Sequence, residues 1–565
     1  MKLKSHINDV IKDAFKKASI DADPIAVTDA TKQEFGDFQF NGAMALSKKL
    51  GKNPREIATM IVENLDTTTV IEKVEIAGPG FINIWLNASW LAEQCQQLDD
   101  ERLGIKKKNN PMKVVVDYSG PNMAKQMHVG HLRSTIIGDT LANLLSFLGD
   151  EVIRQNHIGD WGTQFGMLIA YLEDMGEDGS GSLKDLEQFY KDAKGKFDID
   201  DAFANRAREY VVKIQSGDEK CLELWQKFID ISLGHCEDIY RQLGVKLTRD
   251  NVRAESFYNN ELPGVVSGLD EVKMLQESDG AKCVFLENEE IPVIVQKGDG
   301  GYLYATTDLA ALRYRAKTLG AKRISYVVDA RQSGHFKQVF KVAKEAGFVP
   351  EDVLLEHIAF GTMMDKSGKP FKTRDGGTIK LVDLLDEAVE KAKGTIKEKE
   401  EYSEEEIEKL AQIIGIGAVK YADLSINRES NYIFDLDKML SFDGNTSLYM
   451  QYAYARIQSI FRKNENRDLV GSIIIGDPLE HKLAVMLLRF EDILEKAAED
   501  ASPNQITSYL YDLATIFMKF YEQNPILKEE IPEKTKESRL KLADLAAKTI
   551  KQGLDILGIE VVSKI

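Results

Sequence analysis

The sequence predicts an α/β protein: a central domain built on a parallel β-sheet, with a small α+β domain before it and an all-helical region after it. Residues 113–119, KVVVDYS, form a short β-branched run that leads into a Gly-Pro loop. A helical pattern then extends from residue 128 to about residue 148, and EVIRQNHIG at 151–159 predicts a second strand. A strand, a loop, a helix and a strand in succession are typical of a parallel βαβ unit.

The segments on either side complete this prediction. At 70–87, VIEKVEIAGPGFINIWLN alternates around a Gly-Pro-Gly turn, which is typical of a β-hairpin. The polar stretch at 106–111 marks a domain boundary. Helical patterns fill about 168–297, with strands near the end, and we interpret this region as an insertion into the sheet domain. Strand patterns return at 323–330, and from residue 378 the pattern is almost wholly helical.

Length and composition bound the class of protein. At 565 residues the chain is too long for one hydrophobic core, which predicts about three to five domains. Its 43% hydrophobic and 29% charged residues are typical of a soluble globular protein. We find no apolar run of about 18 residues. The N-terminal helical pattern lacks the features of a secretory signal, and Asp9 and Asp13 disfavour a mitochondrial one. We therefore expect a cytoplasmic protein with no membrane association. We also expect a monomer.

The cysteines and the net charge disfavour two further classes. Cys95, Cys221, Cys236 and Cys283 show no CxxC spacing and no paired histidines, so we expect neither structural zinc nor a disulfide framework. The net charge of −18 disfavours a general nucleic-acid binder, which usually carries a basic surface. A local basic face on an acidic protein can still hold a phosphate backbone.

The segment 117–135, DYSGPNMAKQMHVGHLRST, carries the most specific chemistry. It joins the first strand to the first helix of the sheet domain, at the edge where open parallel sheets bind ligands. His128 and His131 are three residues apart, so they are expected on one face of the first helical turn, aimed at a triphosphate. Gly130 between them leaves room for a flat purine. Two helix-starting histidines without a task are the alternative, and no nearby cysteine or third histidine favours a metal.

These residues resemble a known family. Gly120-Pro121-Asn122, Ala124-Lys125 and the block 128–134, HVGHLRS, resemble the ATP-binding signature of class I aminoacyl-tRNA synthetases, and specifically of the arginyl enzymes. The block 157–166, HIGDWGTQFG, is similar to that family's second block. The resemblance spans the chain. It implies activation of L-arginine by ATP with Mg²⁺, transfer to tRNA(Arg), and a requirement for the tRNA during activation.

The resemblance also implies a domain organisation. The expected parts are an additional N-terminal domain that touches the tRNA D-loop, a Rossmann-type catalytic domain with an insertion at about 168–297, a helical connective domain, and a helical anticodon-binding domain. Their expected bounds are 1–110, 111–375, 376–444 and 445–565.

Recognition of arginine needs planar acceptors, because a guanidinium offers five donors and no acceptor. Tyr304 and Asp308 are four residues apart and share a helical face. By resemblance they hold the arginine side chain together with Asp117, and an editing domain is unnecessary. The residues that resemble those orienting the ammonium and carboxylate groups are Ser119, Asn122 and Gln332. As alternatives, Asp308 serves only the helix dipole and Tyr304 is a core aromatic.

The phosphate loop departs from the family pattern. Class I enzymes generally carry Lys-Met-Ser-Lys-Ser, but residues 360–374 are FGTMMDKSGKPFKTR, so the usual second lysine is not identifiable. A loop rich in lysine still suits a triphosphate. We assign transition-state charge stabilisation to Lys125, just upstream of the histidines. By resemblance the ATP-binding residues are His128, Gly130, His131, His335, Met363, Lys366, Lys369 and Lys372.

Two regions are expected to contact RNA. Phe81 would stack on a D-loop base, and Asn83 would hydrogen-bond a base edge. In the C-terminal region, Tyr449, Tyr452 and Arg456 suit unstacked loop bases and phosphate. The family's Asp-Ala-Leu-Arg pattern is not intact there, and Tyr-Ala-Tyr-Ala-Arg is nearest to it. Ordinary core packing of the tyrosines is the alternative.

Three other functions remain as alternatives. A cysteinyl synthetase would need a thiol-recognising zinc site. A catalytically inactive paralogue would bind RNA only, but the intact histidine motif of this chain disfavours it. A small-molecule nucleotidylyltransferase has a similar histidine motif but would leave the helical C-terminal third unexplained.

Overall fold

A computed structural model describes residues 2–23, 26–176, 186–371, 379–397, 402–464, 469 and 471–565. The chain forms two compact units. The first contains Met1–Lys107, Ser441–Asp555 and Glu560–Ile565; the second, which we call the catalytic unit, contains Lys108–Leu440 and Ile556–Ile559. The division into four domains stays a prediction.

The N-terminal part contains a predicted helix and a predicted hairpin, both confirmed. Its elements are α1 (Leu3–Lys17), β1 (Thr28–Asp29), β2 (Phe38–Phe40), α2 (Gly42–Leu50), α3 (Pro54–Glu63), β3 (Ile71–Ala77), β4 (Phe81–Leu86) and α4 (Ala88–Gln96). The strands pair antiparallel in the order β1-β2-β4-β3. Gly80 in the hairpin turn has φ of 135°, and a Cβ there would lie 2.8 Å from the Pro54 carbonyl oxygen, so only glycine fits.

The first half of the catalytic unit runs from the predicted βαβ segment to a small antiparallel sheet. Its elements are β5 (Lys113–Asp117), α5 (Val129–Leu148), β6 (Glu151–Gln155), α6 (Thr163–Asp174), α7 (Leu186–Ile199), α8 (Asp201–Gln215), α9 (Glu219–Gln242), α10 (Leu262–Glu271), β7 (Leu275–Ser278), β8 (Ala281–Val284) and β9 (Val293–Gln296). Strands β7, β8 and β9 pair antiparallel. The helical segment with strands near its end is therefore confirmed between β6 and the next strand of the parallel sheet.

The second half of the catalytic unit completes that sheet and continues as helices. Its elements are α11 (Tyr304–Arg313), β10 (Arg323–Tyr326), α12 (Ser333–Glu345), β11 (Leu354–His357), β12 (Met363–Met364), α13 (Leu381–Lys397), α14 (Glu404–Leu424), β13 (Tyr432–Ile433) and α15 (Leu436–Met439). The helical C-terminal region that follows was also predicted. It comprises α16 (Ser447–Lys463), α17 (Pro478–Leu488), α18 (Phe490–Glu499), α19 (Asn504–Gln523) and α20 (Glu533–Ile556).

The predicted parallel sheet is confirmed, in the order β11-β10-β5-β6. Strand β5 pairs in parallel with both β6 and β10, and β10 pairs in parallel with β11. The side chains of Val114, Val115 and Val116 are fully buried, as expected for a central strand covered on both faces. Because the strands are parallel, their carboxyl ends meet at one edge, and the loop that follows β5 at Asp117 lies there.

Helix α5 is buried along most of its length and packs on this sheet. His128 is its N-cap residue, and Gly149 closes it with φ of 102° in the left-handed region. In the described part of the chain, no helix combines the length and the apolar character needed to span a membrane.

Candidate active site

A cavity of about 450 Å³ opens at the carboxyl edge of the parallel sheet. The loops after β5 and β10 line it, together with α11 and α12. The predicted site residues that line it are Asp117, Ser119, Asn122, Gly130, His131, Tyr304, Asp308, Gln332 and His335. Residues that sequence analysis derived from separate motifs therefore converge on one cavity. His128 is not among the residues that line the cavity, but its ring lies against that of His131, with centroids 3.9 Å apart.

Backbone hydrogen bonds hold the two imidazoles in place. The amide of Gly130 donates to Nδ1 of His128 at 3.0 Å, and the amide of His128 donates to Nδ1 of His131 at 3.1 Å. Because each Nδ1 accepts a hydrogen bond from a backbone amide, a neutral ring must carry its own proton on Nε2. Each ring can then donate one hydrogen bond from Nε2 to an anionic ligand.

Both histidines are held in the neutral form. Burial lowers the pKa of His131 to about 3, with a further contribution from the charge of His128. Burial, followed by the nearby Lys125 ammonium, lowers the pKa of His128 below its ordinary value. Both imidazoles are therefore neutral near pH 7, so each could donate a hydrogen bond from Nε2 but neither supplies a positive charge.

The structure shows a further reason for glycine at position 130. A Cβ at this position would lie 2.7 Å from Cε1 and 2.9 Å from Nδ1 of His128. A side chain at this position would therefore meet the imidazole of His128, while Gly130 itself stays exposed and lines the cavity. The predicted approach of a purine to its backbone stays a prediction. Gly130 is needed because the N-cap ring folds back over it.

Tyr304 and Asp308 lie on the first turns of α11, as predicted. Tyr304 is 75% exposed at the cavity, which excludes the core-aromatic alternative. The Asp308 side chain is mostly buried, and its Oδ2 lies 2.6 Å from Nε2 of His335. This hydrogen bond raises the pKa of His335 above its ordinary value, because the carboxylate favours the protonated ring.

Asp117 is engaged by an arginine of the protein itself. The fully buried Arg315 donates from Nη2 to Oδ2 of Asp117 at 2.7 Å and from Nε to Gln155 at 2.6 Å. The other carboxylate oxygen accepts weakly from the His157 amide at 3.3 Å. Each oxygen of Asp117 therefore already accepts one hydrogen bond, and a bound guanidinium would have to share this carboxylate with Arg315.

The three residues predicted to orient the ends of an amino acid differ in their surroundings. Ser119 has φ of 74°, and its hydroxyl lies 2.7 Å from the Tyr240 hydroxyl and accepts from Thr135 at 3.0 Å. Asn122 and Gln332 are exposed at the cavity. The amide side chains are therefore available to a ligand, whereas the serine hydroxyl is already tied into the protein.

Sequence analysis missed Glu255, which also lines the cavity. Burial, then the nearby carboxylates of Asp160 and Asp308, raise its pKa to about 7. A carboxyl group that is half protonated at neutral pH beside other carboxylates favours a cationic ligand. No local motif around Ala254-Glu255-Ser256 could have identified it, because its partners converge only in the fold.

The predicted phosphate loop begins at β12, which pairs with β13 through Met363↔Tyr432. Lys366 lies 3.0 Å from both Asp435 and Asp437, so its charge is balanced within the protein. The backbone amide of Lys369 donates to Asp365, and its side chain is exposed. Lys372 lies outside the described residues. None of the described loop lysines lines the cavity.

Lys125 is exposed, and its Nζ lies 5.0 Å from the centre of the Tyr190 ring. It does not line the cavity, but its charge reaches His128, whose pKa it helps to lower. Its role as a charge donor to the ligand of the histidines stays a prediction.

The two residues predicted to contact RNA in the N-terminal part, Phe81 and Asn83, differ in exposure. Phe81 is half-buried at the start of β4. Asn83 is only 2% exposed, and its Oδ1 accepts from Nε2 of Gln39 on the neighbouring strand at 2.8 Å. In this structure the amide of Asn83 is therefore turned inward, with Gln39 covering it.

The predicted RNA contacts in the C-terminal region share one face of α16. Tyr452 and Arg456 are hydrogen-bonded to each other, and the Arg456 guanidinium lies 5.3 Å from the Tyr521 ring. Tyr449 packs beside Tyr511 with ring centres 5.7 Å apart. All three predicted residues are half-buried, so each keeps an exposed part.

Comparisons with known proteins agree on one family. The model of the class I (R) tRNA synthetase catalytic domain matches residues 94–436, that of the DALR anticodon binding domain matches 450–565, and that of the arginyl tRNA synthetase N-terminal domain matches 1–86. An arginine–tRNA ligase of Laribacter hongkongensis is 53% identical over 572 residues, covering 99% of both chains. That of Saccharophagus degradans is 54% identical over 580 residues and 100% of both. The crystal structure of a Plasmodium falciparum arginyl-tRNA synthetase superposes with a TM-score of 0.87 at 32% identity, over 100% of both chains.

Proposed function

Because this chain belongs to the arginyl-tRNA synthetases of class I, we propose that it activates L-arginine with ATP and transfers the arginyl group to tRNA(Arg), releasing AMP and pyrophosphate. The observation that carries the proposal is the cavity at the sheet edge. Its carboxylates suit a guanidinium, and the neutral His131 in its wall, with His128 beside it, suits a phosphate, so one cavity provides for both substrates.

The guanidinium would be held by Asp308 and Glu255, with Tyr304 at the mouth of the cavity. A guanidinium presents its donors in a planar fork, and two carboxylates can accept from that fork at once. Lysine offers a compact charge and would leave part of these acceptors unpaired, which is a costly mismatch in a buried site. Asn122 and Gln332, exposed at the cavity, would hold the ammonium and carboxylate groups of the amino acid.

The chemistry would proceed in two steps without a covalent enzyme intermediate. A carboxylate oxygen of arginine attacks the α-phosphorus of ATP in line, and the bond to pyrophosphate breaks. The terminal ribose hydroxyl of the tRNA then attacks the arginyl carbonyl carbon, and AMP leaves. The protein contributes positioning and stabilisation of charge: His128 and His131 donate from Nε2, and Lys125 supplies a positive charge.

Mg²⁺ belongs to this proposal only as the partner of ATP. Across the described ranges, no three acidic, histidine or cysteine side chains gather into a group that could hold a metal. The oxygens of the triphosphate would therefore be its ligands, and no step above depends on a protein site for the ion. The cytoplasmic location and the monomeric state stay predictions.

Arginine binding is expected to depend on pH through Glu255. A bound guanidinium favours the ionised carboxylate, so a group whose pKa is raised to about 7 must lose its proton as arginine binds. His335, whose pKa is raised by Asp308, would lose its proton in the same direction when a guanidinium reaches Asp308. As the pH rises from about 6 to about 8, the KM for arginine should therefore fall. Glu255 and His335 would each contribute a decrease of up to roughly tenfold per pH unit.

Calorimetry of arginine binding in two buffers of different protonation enthalpy would measure the released protons. Glu255→Gln should reduce the proton release at neutral pH, and His335→Gln provides the matched comparison for the second group. Arginine binding without proton release in the parent protein would contradict the role given to Glu255.

The N-terminal contact with RNA would be made by Phe81. Phe81→Ala is expected to weaken tRNA(Arg) binding by about 1–3 kcal/mol, the usual cost of losing a base stack. The fold should survive because the ring is half-buried at the edge of a turn. Phe35→Ala, at another half-buried ring of the same part of the chain, is the control and should leave the affinity unchanged. Parent-like affinity of folded Phe81→Ala, measured by filter binding, would remove this contact. Asn83 could reach a base edge only if Gln39 moved away from it.

Aminoacylation tests the proposed function as a whole. The full chain, tRNA(Arg), ATP with Mg²⁺ and labelled arginine should yield labelled tRNA, whereas labelled lysine or cysteine should not. A labelled cysteinyl product would favour the cysteinyl alternative. Binding of tRNA without any charged product would favour an RNA-binding paralogue, and nucleotide transfer to a small molecule without RNA would favour a nucleotidylyltransferase.

A further inference from the structure

The last residue of α20 and the turn after it belong to the catalytic unit. Ile556–Ile559 groups with Lys108–Leu440, although the residues immediately before and after these four belong to the other unit. Ile556, Leu557 and Ile559 are all buried. Gly558 has φ of 67°, so the turn depends on glycine at this position.

This segment covers a buried cation. Lys420 on α14 is 1% exposed, and its Nζ donates to the carbonyl oxygens of Gly558 at 2.5 Å and Leu243 at 2.6 Å. A Cβ at Gly558 would lie 2.6 Å from this Nζ and 3.8 Å from Oδ2 of Asp139. Gly558 is therefore flanked by a buried ammonium and a buried carboxylate, and a side chain at this position would displace the Lys420 ammonium.

The carboxylate of Asp139 leads from this segment to the cavity. It lies on α5, is 1% exposed, and accepts from the Tyr118 hydroxyl at 2.9 Å. It also accepts from Nδ2 of Asn143 at 3.0 Å, and the same nitrogen donates to the Ile556 carbonyl at 3.3 Å. Tyr118 lines the cavity, so a continuous set of buried hydrogen bonds joins Ile556 to the loop after β5.

A second route reaches the neighbouring residue of that loop. The Leu243 carbonyl held by Lys420 is at the C-terminal end of α9, where a positive charge also favours the helix dipole. Tyr240 in the last turn of α9 contacts the hydroxyl of Ser119 at 2.7 Å. The two routes therefore end on Tyr118 and Ser119, which follow directly after Asp117.

We propose that Ile556–Ile559 positions the amino-acid pocket: it fixes Lys420 and Asp139, which in turn hold Tyr118 and Ser119. Lys420, Asp139 and Gly558 are positioning residues, since none of them lines the cavity. The inference rests on the proposed function, because it assigns these supports to the arginine pocket. It implies that disturbing a turn near the C-terminus impairs arginine use and leaves ATP use nearly intact.

Two glycines allow a matched test. Gly558→Ala and Gly347→Ala introduce the same methyl group at φ of 67° and 66°, so the backbone strain is the same. A Cβ at Gly347 has no neighbour within 4 Å, whereas one at Gly558 crowds Lys420. In ATP–pyrophosphate exchange with tRNA(Arg), Gly558→Ala should raise the KM for arginine by on the order of tenfold, since small misplacements of a site are costly. The KM for ATP should change by less than about twofold, and Gly347→Ala should leave both values at those of the parent.

A double-mutant cycle separates positioning from general destabilisation. Tyr118→Phe removes the hydroxyl that bonds Asp139, so Gly558→Ala added to it should raise the arginine KM by less than it does in the parent. If Gly558→Ala does not fold, Lys420→Met takes its place in the cycle, because it removes the buried charge and keeps a long side chain. Equal rises in the arginine and ATP KM values, additive effects, or an arginine KM no higher than that of Gly347→Ala would overturn the inference. A parent protein that activates no arginine would instead overturn the proposed function.

Discussion

Asp308→Asn is expected to raise the KM for arginine steeply and to leave the KM for ATP nearly unchanged. The Asp308 carboxylate is mostly buried at the cavity, and a bound guanidinium would lose a charged hydrogen bond there. Such a loss is worth about 2–4 kcal/mol, or roughly 30- to 1000-fold in KM. The asparagine can still accept a hydrogen bond from His335, so the fold around α11 should be retained. Steady-state kinetics with each substrate varied in turn measures the two values.

Asp329→Asn is the matched control for this substitution. Asp329 lines the same cavity, but its carboxylate is bound by Arg331 through a pair of hydrogen bonds at 2.8 Å. Asp329→Asn should therefore change the arginine KM much less than Asp308→Asn does. If Asp308→Asn moved the arginine KM by less than about threefold, Asp308 would be removed from the pocket assignment.

Lys125→Ala is expected to lower kcat for adenylate formation by about 10²–10³, the usual effect of losing one preorganised charge donor. The two histidines are neutral, and Lys366 is already bound to Asp435 and Asp437, so Lys125 is the proposed source of positive charge. Its contact would form mainly in the transition state, and the KM for ATP should therefore move far less than kcat.

Single alanine substitutions of Lys366, Lys369 and Lys372 are the comparison, measured by single-turnover adenylate formation. Each should cost less than Lys125→Ala, because neighbouring cations of the loop can share the contact. A large kcat loss at one loop lysine, with Lys125→Ala close to the parent, would reverse the assignment. The charge would then come from the loop, and Lys125 would be a solvated residue before α5.

The central part of the fold was predictable because its signals are local. Three consecutive buried valines predict β5, and the helix that follows has its N-cap at His128 and its left-handed C-cap glycine at Gly149, next to the predicted bounds. The convergence of Tyr304 and Asp308 on the histidine cavity followed from the resemblance, since nothing in the spacing between the segments predicts it.

Other features depend on partners that are distant in the sequence. Asp117 pairs with Arg315, 198 positions away, and this internal arginine occupies a carboxylate oxygen that was expected to be available to the substrate. Strand alternation placed Asn83 correctly on β4 but could not show that Gln39 covers it from the next strand. The raised pKa of Glu255 arises from burial and from carboxylates that only the fold brings near it.

ATP–pyrophosphate exchange with each proteinogenic amino acid, with and without tRNA(Arg), tests the central claim most directly. The full chain should catalyse exchange with arginine and not with lysine, cysteine or any other amino acid, and only when tRNA(Arg) is present. Exchange driven by another amino acid would contradict the assignment of Asp308 and Glu255 as guanidinium acceptors. Tight binding of tRNA(Arg) with no exchange in the presence of arginine would contradict the account as a whole, because the histidine cavity would then have no catalytic role.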